Sequence, residues 1–261
     1  MADMSEKYYE KAKVVSQEMI ADGIFRLRLH QRLIAASAKP GQFVSVYCKD
    51  HSRMLPRPIS VCETDPAEGI LTLVYRRAGE GTKEISGYQE GDLVDLAGPL
   101  GNGYPMERAQ GRNVLLVGGG IGIPPLVELA KRLNGNAAIT VGYRNEPFLL
   151  NELEKYGRVF CSSEDGSIGT KGTVLDCIKE NCIQADVIYA CGPAPMLRAL
   201  KQYAQEHNIE CWISLEERMA CGVGACLACI CRTPMIDEHS QVKNRRICAD
   251  GPVFEAGEVE I

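Results

Sequence analysis

A cluster of cysteines near the carboxyl terminus constrains this chain more than any other feature. Cys221, Cys226 and Cys229 follow a C-x4-C-x2-C spacing, and Cys248 comes after eighteen further residues. Four thiolates with this spacing are the plant-type arrangement for a 2Fe–2S cluster. A segment of about 45 residues buries little core, and such segments usually depend on a metal or another cross-link. The spacing therefore predicts that residues 216–261 fold around a 2Fe–2S cluster.

The residues between the cysteines fit this interpretation. Gly222 and Gly224 allow a tight loop, so we expect backbone N–H groups to point at the sulfurs and stabilise their negative charge. A four-cysteine zinc site is the alternative, although such sites usually have two C-x2-C pairs and the second pair is missing here. Cys231 is a fifth thiol that the spacing does not require, and we expect it to have a packing role.

Composition and charge narrow the class of protein. The chain has 261 residues, twelve cysteines and a formal net charge of −5, which does not favour nucleic acid or an anionic membrane as a partner. The first residues lack the apolar run of a secretory signal, and no run of about 18 apolar residues predicts a membrane span. We therefore expect a cytoplasmic protein with reduced thiols.

Residues 1–106 have the pattern of short β-strands. Phe25, Leu27 and Leu29 alternate with Arg26 and Arg28, as in a half-buried strand. Further runs of this kind lie at residues 12–16, 42–47, 70–75 and 93–96. Short strands separated by Gly-containing turns predict an antiparallel barrel or sandwich.

Residues 107–215 alternate between strand and helix patterns. Strands are predicted at 114–117, 138–143, 158–161, 187–190 and 211–215, and helices at 126–133, 148–156, 174–180 and 196–207. This alternation predicts a parallel sheet with helices on both faces. From residue 216 onwards the sequence has little regular pattern apart from the cysteines.

A glycine-rich loop, residues 118–125, joins the first of these strands to its helix. Gly119, Gly120 and Gly122 would let phosphates approach the backbone at a helix N-terminus, although a tight strand–helix turn is the alternative. The G-x-G-x-x-G fingerprint is not met, because residue 123 is isoleucine. Arg144 and Asn145 follow the second strand where an acidic residue would favour NAD, so this rule does not separate NAD from NADP.

Two motifs in the β region also suggest phosphate binding. Arg57-Pro58-Ile59-Ser60 offers a guanidinium fork and a hydroxyl. Val74-Tyr75-Arg76 ends a strand before Gly79-Glu80-Gly81-Thr82, whose glycines and threonine could hold phosphate oxygens. Each motif alone is also typical of an ordinary surface loop.

A nicotinamide site and a 2Fe–2S cluster on one chain together predict a flavin. A nicotinamide moves two electrons as hydride, the cluster accepts one, and a flavin can exchange electrons either way. The protein would bind and orient these groups and tune their potentials. We therefore expect no catalytic acid, base or nucleophile on this chain.

Four motifs, taken together and in their order along the chain, resemble the ferredoxin–NADP reductase superfamily. They are Arg57–Ser60, Gly79-x-Gly81-Thr82, the 118–125 loop and Cys191-Gly192-Pro193. The run 216–229 with Cys248 resembles the electron-transfer subunits of NAD-dependent, class 1B dihydroorotate dehydrogenases. The resemblance implies an N-terminal antiparallel FAD-binding barrel (1–106), a central parallel α/β NAD-binding domain (107–215) and a small C-terminal 2Fe–2S segment (216–261).

The resemblance also implies roles for individual residues. The FAD site would comprise Arg57, Pro58, Ile59, Ser60, Val74, Tyr75, Arg76, Gly81 and Thr82. The nicotinamide nucleotide would lie against Gly119, Gly120, Gly122, Cys191 and Gly192, and the cluster on Cys221, Cys226, Cys229 and Cys248. The choices of FAD over FMN and of NAD over NADP come from the resemblance alone.

Finally, the resemblance implies a partner. Dihydroorotate would be oxidised, for pyrimidine biosynthesis, on a separate FMN-containing catalytic subunit, in a heterotetramer with two copies of each chain. The cluster-bearing segment would face that subunit. The rival interpretations are the small subunit of an NADH-dependent ferredoxin–NADP reductase or sulfide dehydrogenase, a stand-alone reductase, and a non-enzymatic zinc-binding structural module.

Overall fold

The computed structural model describes residues 6–144, 146–236 and 241–261. Two sets of residues used in the sequence analysis lie outside these ranges. They are residues 1–5, where a secretory signal would begin, and Asn145, one of the two residues considered for the choice between NAD and NADP.

The N-terminal part is a closed six-stranded barrel, as predicted. Its neighbouring strands are antiparallel, in the order β1-β2-β5-β4-β3-β6. Leu27 and Leu29 are fully buried while Arg28 is exposed, so the alternating pattern places one face of its strand in the barrel core. The strands are β1 (Tyr8–Ala21), β2 (Ile24–His30), β3 (Phe43–Val46), β4 (Arg57–Asp65), β5 (Ile70–Arg76) and β6 (Leu93–Leu100).

Three elements of the barrel region were not predicted. The helices α1 (Arg32–Ser37) and α2 (Glu80–Ile85) have six residues each, too few to establish a helical repeat of apolar positions. Strand β4 contains Pro58, and proline within a run argues against a strand because it cannot donate a ladder hydrogen bond.

The central part is a parallel sheet with helices between its strands, as predicted. The parallel order is β10-β9-β8-β7-β11-β12. The strands are β7 (Val114–Gly119), β8 (Ala137–Tyr143), β9 (Arg158–Ser163), β10 (Thr170–Lys171), β11 (Val187–Cys191) and β12 (Glu210–Ser214). The helices are α3 (Pro125–Leu133), α4 (Leu150–Glu154), α5 (Val174–Glu180) and α6 (Ala194–His207).

The order of these strands reverses at β7. Strand β8 follows β7 on one side, whereas β11 lies on its other side with Cys191 opposite Gly118. In open α/β sheets, ligands bind outside the carboxyl ends of the strands at such a point. The fold therefore brings the glycine-rich loop and Cys191 to the position where a nucleotide is expected.

The C-terminal segment, residues 216–261, contains more regular structure than its sequence suggests. It forms β13 (Ile230–Arg232), β14 (Asn244–Arg246) and β15 (Val253–Glu255). Strand β15 pairs antiparallel with β12 and buries Val253 and Phe254, so it becomes the seventh strand of the central sheet. Three-residue strands are too short to show an alternating pattern, which explains why they were missed.

The longest described helix, α6, has 14 residues, and none of the helices in the described ranges is both long and apolar enough to cross a membrane.

Candidate functional site

The two predicted flavin motifs lie at one end of the barrel. Arg57 begins β4 and Arg76 ends β5, and these strands are antiparallel neighbours. The Arg57 guanidinium lies directly on Gly81, since a Cβ added at Gly81 would be 2.1 Å from Arg57 Nε. A residue with a side chain at position 81 would displace the arginine. The fold thus assembles Arg57–Ser60, Val74–Arg76 and the start of α2 into one surface, called here the flavin box.

Not every predicted side chain in the flavin box is available to a ligand. Ile59, Val74 and Tyr75 are buried by packing. Gln17 Nε2 donates a hydrogen bond of 2.6 Å to the Tyr75 hydroxyl, and burial raises the pKa of Tyr75 to about 12. These three residues can therefore offer a ligand mainly their backbone.

Thr82 also has a local structural role. Its hydroxyl accepts hydrogen bonds from the backbone N–H groups of Ala78 and Gly79, at 2.9 and 3.0 Å, and donates one to Gly79 O. The hydroxyl therefore fixes the first turn of α2. Because the first N–H groups of a helix have no intrahelical acceptor, Gly81 and Thr82 can still present backbone donors.

The predicted nicotinamide residues are in direct contact with one another. A Cβ added at Gly122 would lie 2.4 Å from Cys191 O, and one added at Gly192 would lie 3.1 Å from Gly119 N. A Cβ at Gly119 would approach Met196 Sδ to 2.7 Å. These close approaches explain why glycine occupies these positions, since a side chain there would collide with its neighbours. They also bring the loop after β7 into contact with the end of β11.

Arg76 links the flavin box to this loop. A Cβ added at Gly120 would lie 3.6 Å from Arg76 Nη2, so the guanidinium of the barrel reaches the first residue after β7. Burial raises the pKa of the Cys191 thiol to about 12, which keeps it protonated at neutral pH.

The four predicted cluster ligands come as two pairs. Cys226 Sγ and Cys221 Sγ are 3.3 Å apart, and Cys248 N donates to Cys229 Sγ at 3.5 Å. Within the described ranges, no three His, Cys, Asp or Glu side chains are grouped so as to hold a single metal ion. Two irons joined by bridging sulfides need two thiolates each, so the paired thiols fit a 2Fe–2S cluster.

Backbone N–H groups point at these sulfurs, as expected. Cys226 N donates to Cys221 Sγ at 3.4 Å, and Gly224 N donates to Cys248 Sγ at 3.2 Å. Gly222 and Gly224 have φ values of +68° and +85°, a conformation that favours glycine. Such donors stabilise negative charge on thiolates and on a cluster bound to them.

The donors affect the Cys221 thiol. Burial alone would raise the pKa of Cys221, but hydrogen bonds from the backbone of Val223, Cys226 and Ala225 lower it below its ordinary value. The pKa of Cys248 is raised, first by burial and then by the neighbouring Cys229 thiol. The loop thus favours the thiolate, the form that binds metal, at Cys221 before any metal is present.

Sequence reasoning missed the contact between the cluster loop and the barrel. A Cβ added at Gly222 would lie 2.9 Å from Ser45 Oγ, and Ser45 is paired with Pro58 of the flavin box across β3 and β4. The cluster ligands therefore lie next to the flavin box. Ser45 carries no motif that could have predicted this contact.

Arg246 was also missed. Its Nη1 donates to Gly224 O at 2.9 Å, and its Nε is 3.2 Å from Asp250 Oδ2. Arg246 therefore supports the loop that carries the N–H donors, and its position two residues before Cys248 was the only signal in the sequence. Cys231 Sγ instead donates to Arg245 O at 3.5 Å, outside the two thiol pairs.

Two family profiles match the chain. The "Oxidoreductase FAD-binding domain" matches residues 10–104, and the "Iron-sulfur cluster binding domain of dihydroorotate dehydrogenase B" matches residues 216–260. The second profile covers all four paired thiols and favours iron–sulfur over the zinc alternative.

Curated relatives match almost the whole chain. The "Dihydroorotate dehydrogenase B (NAD(+)), electron transfer subunit" of Geobacillus sp. (strain WCH70) is 45% identical over 96% of this chain and 98% of its own length. The protein of the same name from Fusobacterium nucleatum is 41% identical over 97% and 98%. The chain belongs to this family of electron transfer subunits. This membership agrees with the flavin oxidoreductase function expected from the sequence. It also agrees with the expected cofactors, FAD and an iron–sulfur cluster, and with NAD⁺ as the substrate.

Solved structures agree on the fold. A chain from the structure of an NADH-dependent reduced ferredoxin–NADP oxidoreductase superposes with a TM-score of 0.82 and 29% identity, covering 95% of this chain and 89% of that one. The cytochrome P450 reductase GcoB of Amycolatopsis gives 0.64 and 22% identity, covering 80% and 70%. The ferredoxin–NADP reductase-like fold predicted from the sequence is confirmed.

Proposed function

We propose that this chain carries electrons between a dihydroorotate-oxidising, FMN-containing subunit and NAD⁺, by way of an iron–sulfur cluster and FAD. One observation carries the proposal. The thiol pairs, the flavin box and the glycine-rich loop 118–125, called here the nucleotide loop, adjoin in that order. Gly222 lies against Ser45 at the first junction, and Arg76 lies beside Gly120 at the second. The family membership supplies the identity of the electron donor and acceptor.

In the flavin box, Arg57 is the residue best placed to bind the FAD diphosphate, with backbone donors from Gly81 and Thr82 beside it. Ser60, further along β4, would add a hydroxyl donor to the FAD site. Arg57 is fixed against Gly81, so its guanidinium is already oriented. Pro58, Ile59, Val74 and Tyr75 would shape the surface under the flavin. When bound, FAD supplies the exchange between hydride chemistry and single-electron transfer.

At the nucleotide loop, Gly119, Gly120 and Gly122 would let the backbone approach the phosphates of NAD, and Cys191-Gly192 would lie near the nicotinamide. The protonated Cys191 thiol adds no charge there. Cys221, Cys226, Cys229 and Cys248 would hold the 2Fe–2S cluster, with their N–H donors stabilising the reduced form. These roles divide the chain at residues 106 and 215, as the sequence predicts.

The partner would dock on the C-terminal segment. Val223, Leu227, Ile230, Met235 and Ile236 are all exposed there, and exposed apolar patches mark interaction sites. A partner on this surface would come close to the cluster. The heterotetramer with two copies of each chain and the cytoplasmic location remain predictions.

The test is the substitution Cys226→Ser in the complex with its catalytic subunit, with Cys231→Ser as the matched control. Cys226→Ser is expected to lower dihydroorotate-driven NAD⁺ reduction by roughly a hundredfold or more, because loss of a metal ligand removes the carrier between the two flavins. FAD content and NADH-driven reduction of a dye at the FAD should survive. Cys231→Ser should behave like wild type.

Full turnover by a Cys226→Ser complex that contains no cluster would overturn the proposed route. Equal losses in both variants would overturn the ligand assignment.

The second candidate function is that of the small subunit of an NADH-dependent ferredoxin–NADP reductase. One observation favours it, the TM-score of 0.82 with a chain of an NADH-dependent reduced ferredoxin–NADP oxidoreductase. Mass analysis of the subunit that co-purifies with the native chain separates the two. A dihydroorotate-reducible FMN subunit supports the first function, and a large iron–sulfur flavoprotein supports the second.

A further inference from the structure

A buried carboxylate joins the barrel to the nucleotide-binding sheet. Glu128, on α3, is 0% exposed. It accepts hydrogen bonds from Thr64 N at 2.9 Å and Thr64 Oγ1 at 3.2 Å, both on β4, and from Arg132 Nε at 2.7 Å. A buried charge is costly unless it is paired and hydrogen-bonded, and here three donors satisfy it.

A second set of contacts lies beside the first. Lys131 Nζ, one turn along α3, donates to Glu63 Oε1 at 3.1 Å and to Thr64 O at 2.7 Å. The Tyr156 hydroxyl donates to Glu63 Oε1 at 3.2 Å. Two consecutive residues of β4 are thus held by two side chains of α3. We call Glu63, Thr64, Glu128 and Lys131 the β4–α3 clamp.

The clamp connects the two elements that carry the proposed cofactor sites. Strand β4 begins at Arg57 in the flavin box and reaches Thr64 seven residues later, about 23 Å along an extended strand. Helix α3 begins at Pro125, the last residue of the nucleotide loop. Any shift of α3 against β4 therefore moves the nucleotide loop relative to the flavin box.

We propose that the β4–α3 clamp sets the distance and angle between nicotinamide and flavin, with Glu128 as a positioning residue for hydride transfer. The inference rests on the proposed function. In this step a hydride, one proton with two electrons, moves between nicotinamide C4 and flavin N5, so that one ring is oxidised as the other is reduced. Transfer requires reacting atoms about 3–3.5 Å apart, and a misplacement of about 1 Å can cost a hundredfold.

The test compares Glu128→Gln and Thr64→Val with Asp92→Asn in the holo complex. Glu128→Gln removes the charge, whereas Thr64→Val removes only the Oγ1 bond and keeps the backbone bond, so it should fold even if the first variant does not. Asp92→Asn is the control, because Asp92 pairs with Lys49 at 2.7 Å on the surface of the barrel region, so this ion pair does not join β4 to α3.

Stopped-flow flavin reduction at saturating NADH should slow about tenfold or more in Glu128→Gln and less in Thr64→Val. The isotope effect with NADH deuterated at the transferred position should change, while NAD⁺ affinity, FAD content and dihydroorotate-driven flavin reduction stay as in wild type. Hydrogen exchange at the Thr64 amide, which requires no activity, should become faster in Glu128→Gln. Asp92→Asn should match wild type throughout.

An unchanged NADH rate and isotope effect in both clamp variants would overturn the inference, as would equal slowing of NADH-driven and dihydroorotate-driven flavin reduction. Failure of the proposed function is distinguishable. In that case dihydroorotate would not reduce the flavin of the wild-type complex, while the comparison of NADH-driven rates would still test the clamp.

Discussion

Strand β7, at the centre of the parallel sheet, is buried along its whole length, whereas neither β13 nor β14 of the C-terminal segment contains a fully buried residue. The barrel and the sheet are stabilised mainly by apolar packing around three cores. The C-terminal segment contributes Val253 to one of these cores and Phe254, Ala256 and Val259 to another. Its cysteine loop, defined here as residues 221–229, is less buried, since of its three thiols only that of Cys229 is buried.

The two regions also differ at the surface. Of the twelve exposed large apolar side chains among the described residues, six lie in the C-terminal segment. Apolar burial can stabilise the barrel and the central sheet without a metal or a partner. We propose that the C-terminal segment instead depends on thiolate ligands and on contact with a partner. On this proposal, one chain combines a rigid scaffold with a part that is completed by its cofactor and its partner.

The largest predicted effect separates core from surface. Leu116→Ala, in β7 and 0% exposed, should lower the free energy of unfolding by about 2–5 kcal/mol, because it leaves a cavity in close-packed surroundings. Leu227→Ala, 68% exposed in the cysteine loop, should change it by less than about 0.5 kcal/mol. Urea unfolding of the holo chain measures both, and similar losses would contradict the proposed difference between the regions.

A smaller effect concerns the partner. Leu227→Gln should weaken binding of the catalytic subunit by roughly five- to tenfold, because it places a polar group in the proposed apolar interface. Leu33→Gln is the matched control, since Leu33 is an exposed leucine on α1 of the barrel. Titration calorimetry on samples with equal iron content gives the affinities. Equal affinities for the two variants would place the interface elsewhere.

The same contrast explains what the sequence could predict. The five strands predicted in the central region each correspond to an observed strand, because buried parallel strands such as β7 are continuous apolar runs. Strands β13 to β15 could not be predicted from pattern, since their three residues each depend on the ladders they join. The ladder of β15 with β12 brings together residues about forty positions apart, which local patterning does not reveal.

In the candidate site, the thiol ligands were easier to predict from the sequence than the residues that pack around them. The cysteine spacing predicted thiols that the fold does bring together in pairs. The Gly222 contact with Ser45 and the burial of Glu128 arise from tertiary packing, so no local motif could predict them. The same packing buries Tyr75, which the resemblance placed in the FAD site.

The smallest predicted effect concerns Arg246, which supports the cysteine loop. Arg246→Lys keeps the positive charge near Asp250 but loses the planar fork that also reaches Gly224 O, so the loop should open somewhat more often. Loss of one such hydrogen bond should speed iron release to a chelator by roughly two- to tenfold. The control is Arg245→Lys, because the side chain of the neighbouring Arg245 pairs with Glu258 at 2.9 Å, outside the cysteine loop. Equal release from both variants would mean that the cysteine loop keeps its shape through its ligands alone, which would make the C-terminal segment still more dependent on its cluster than the comparison with the sheet implies.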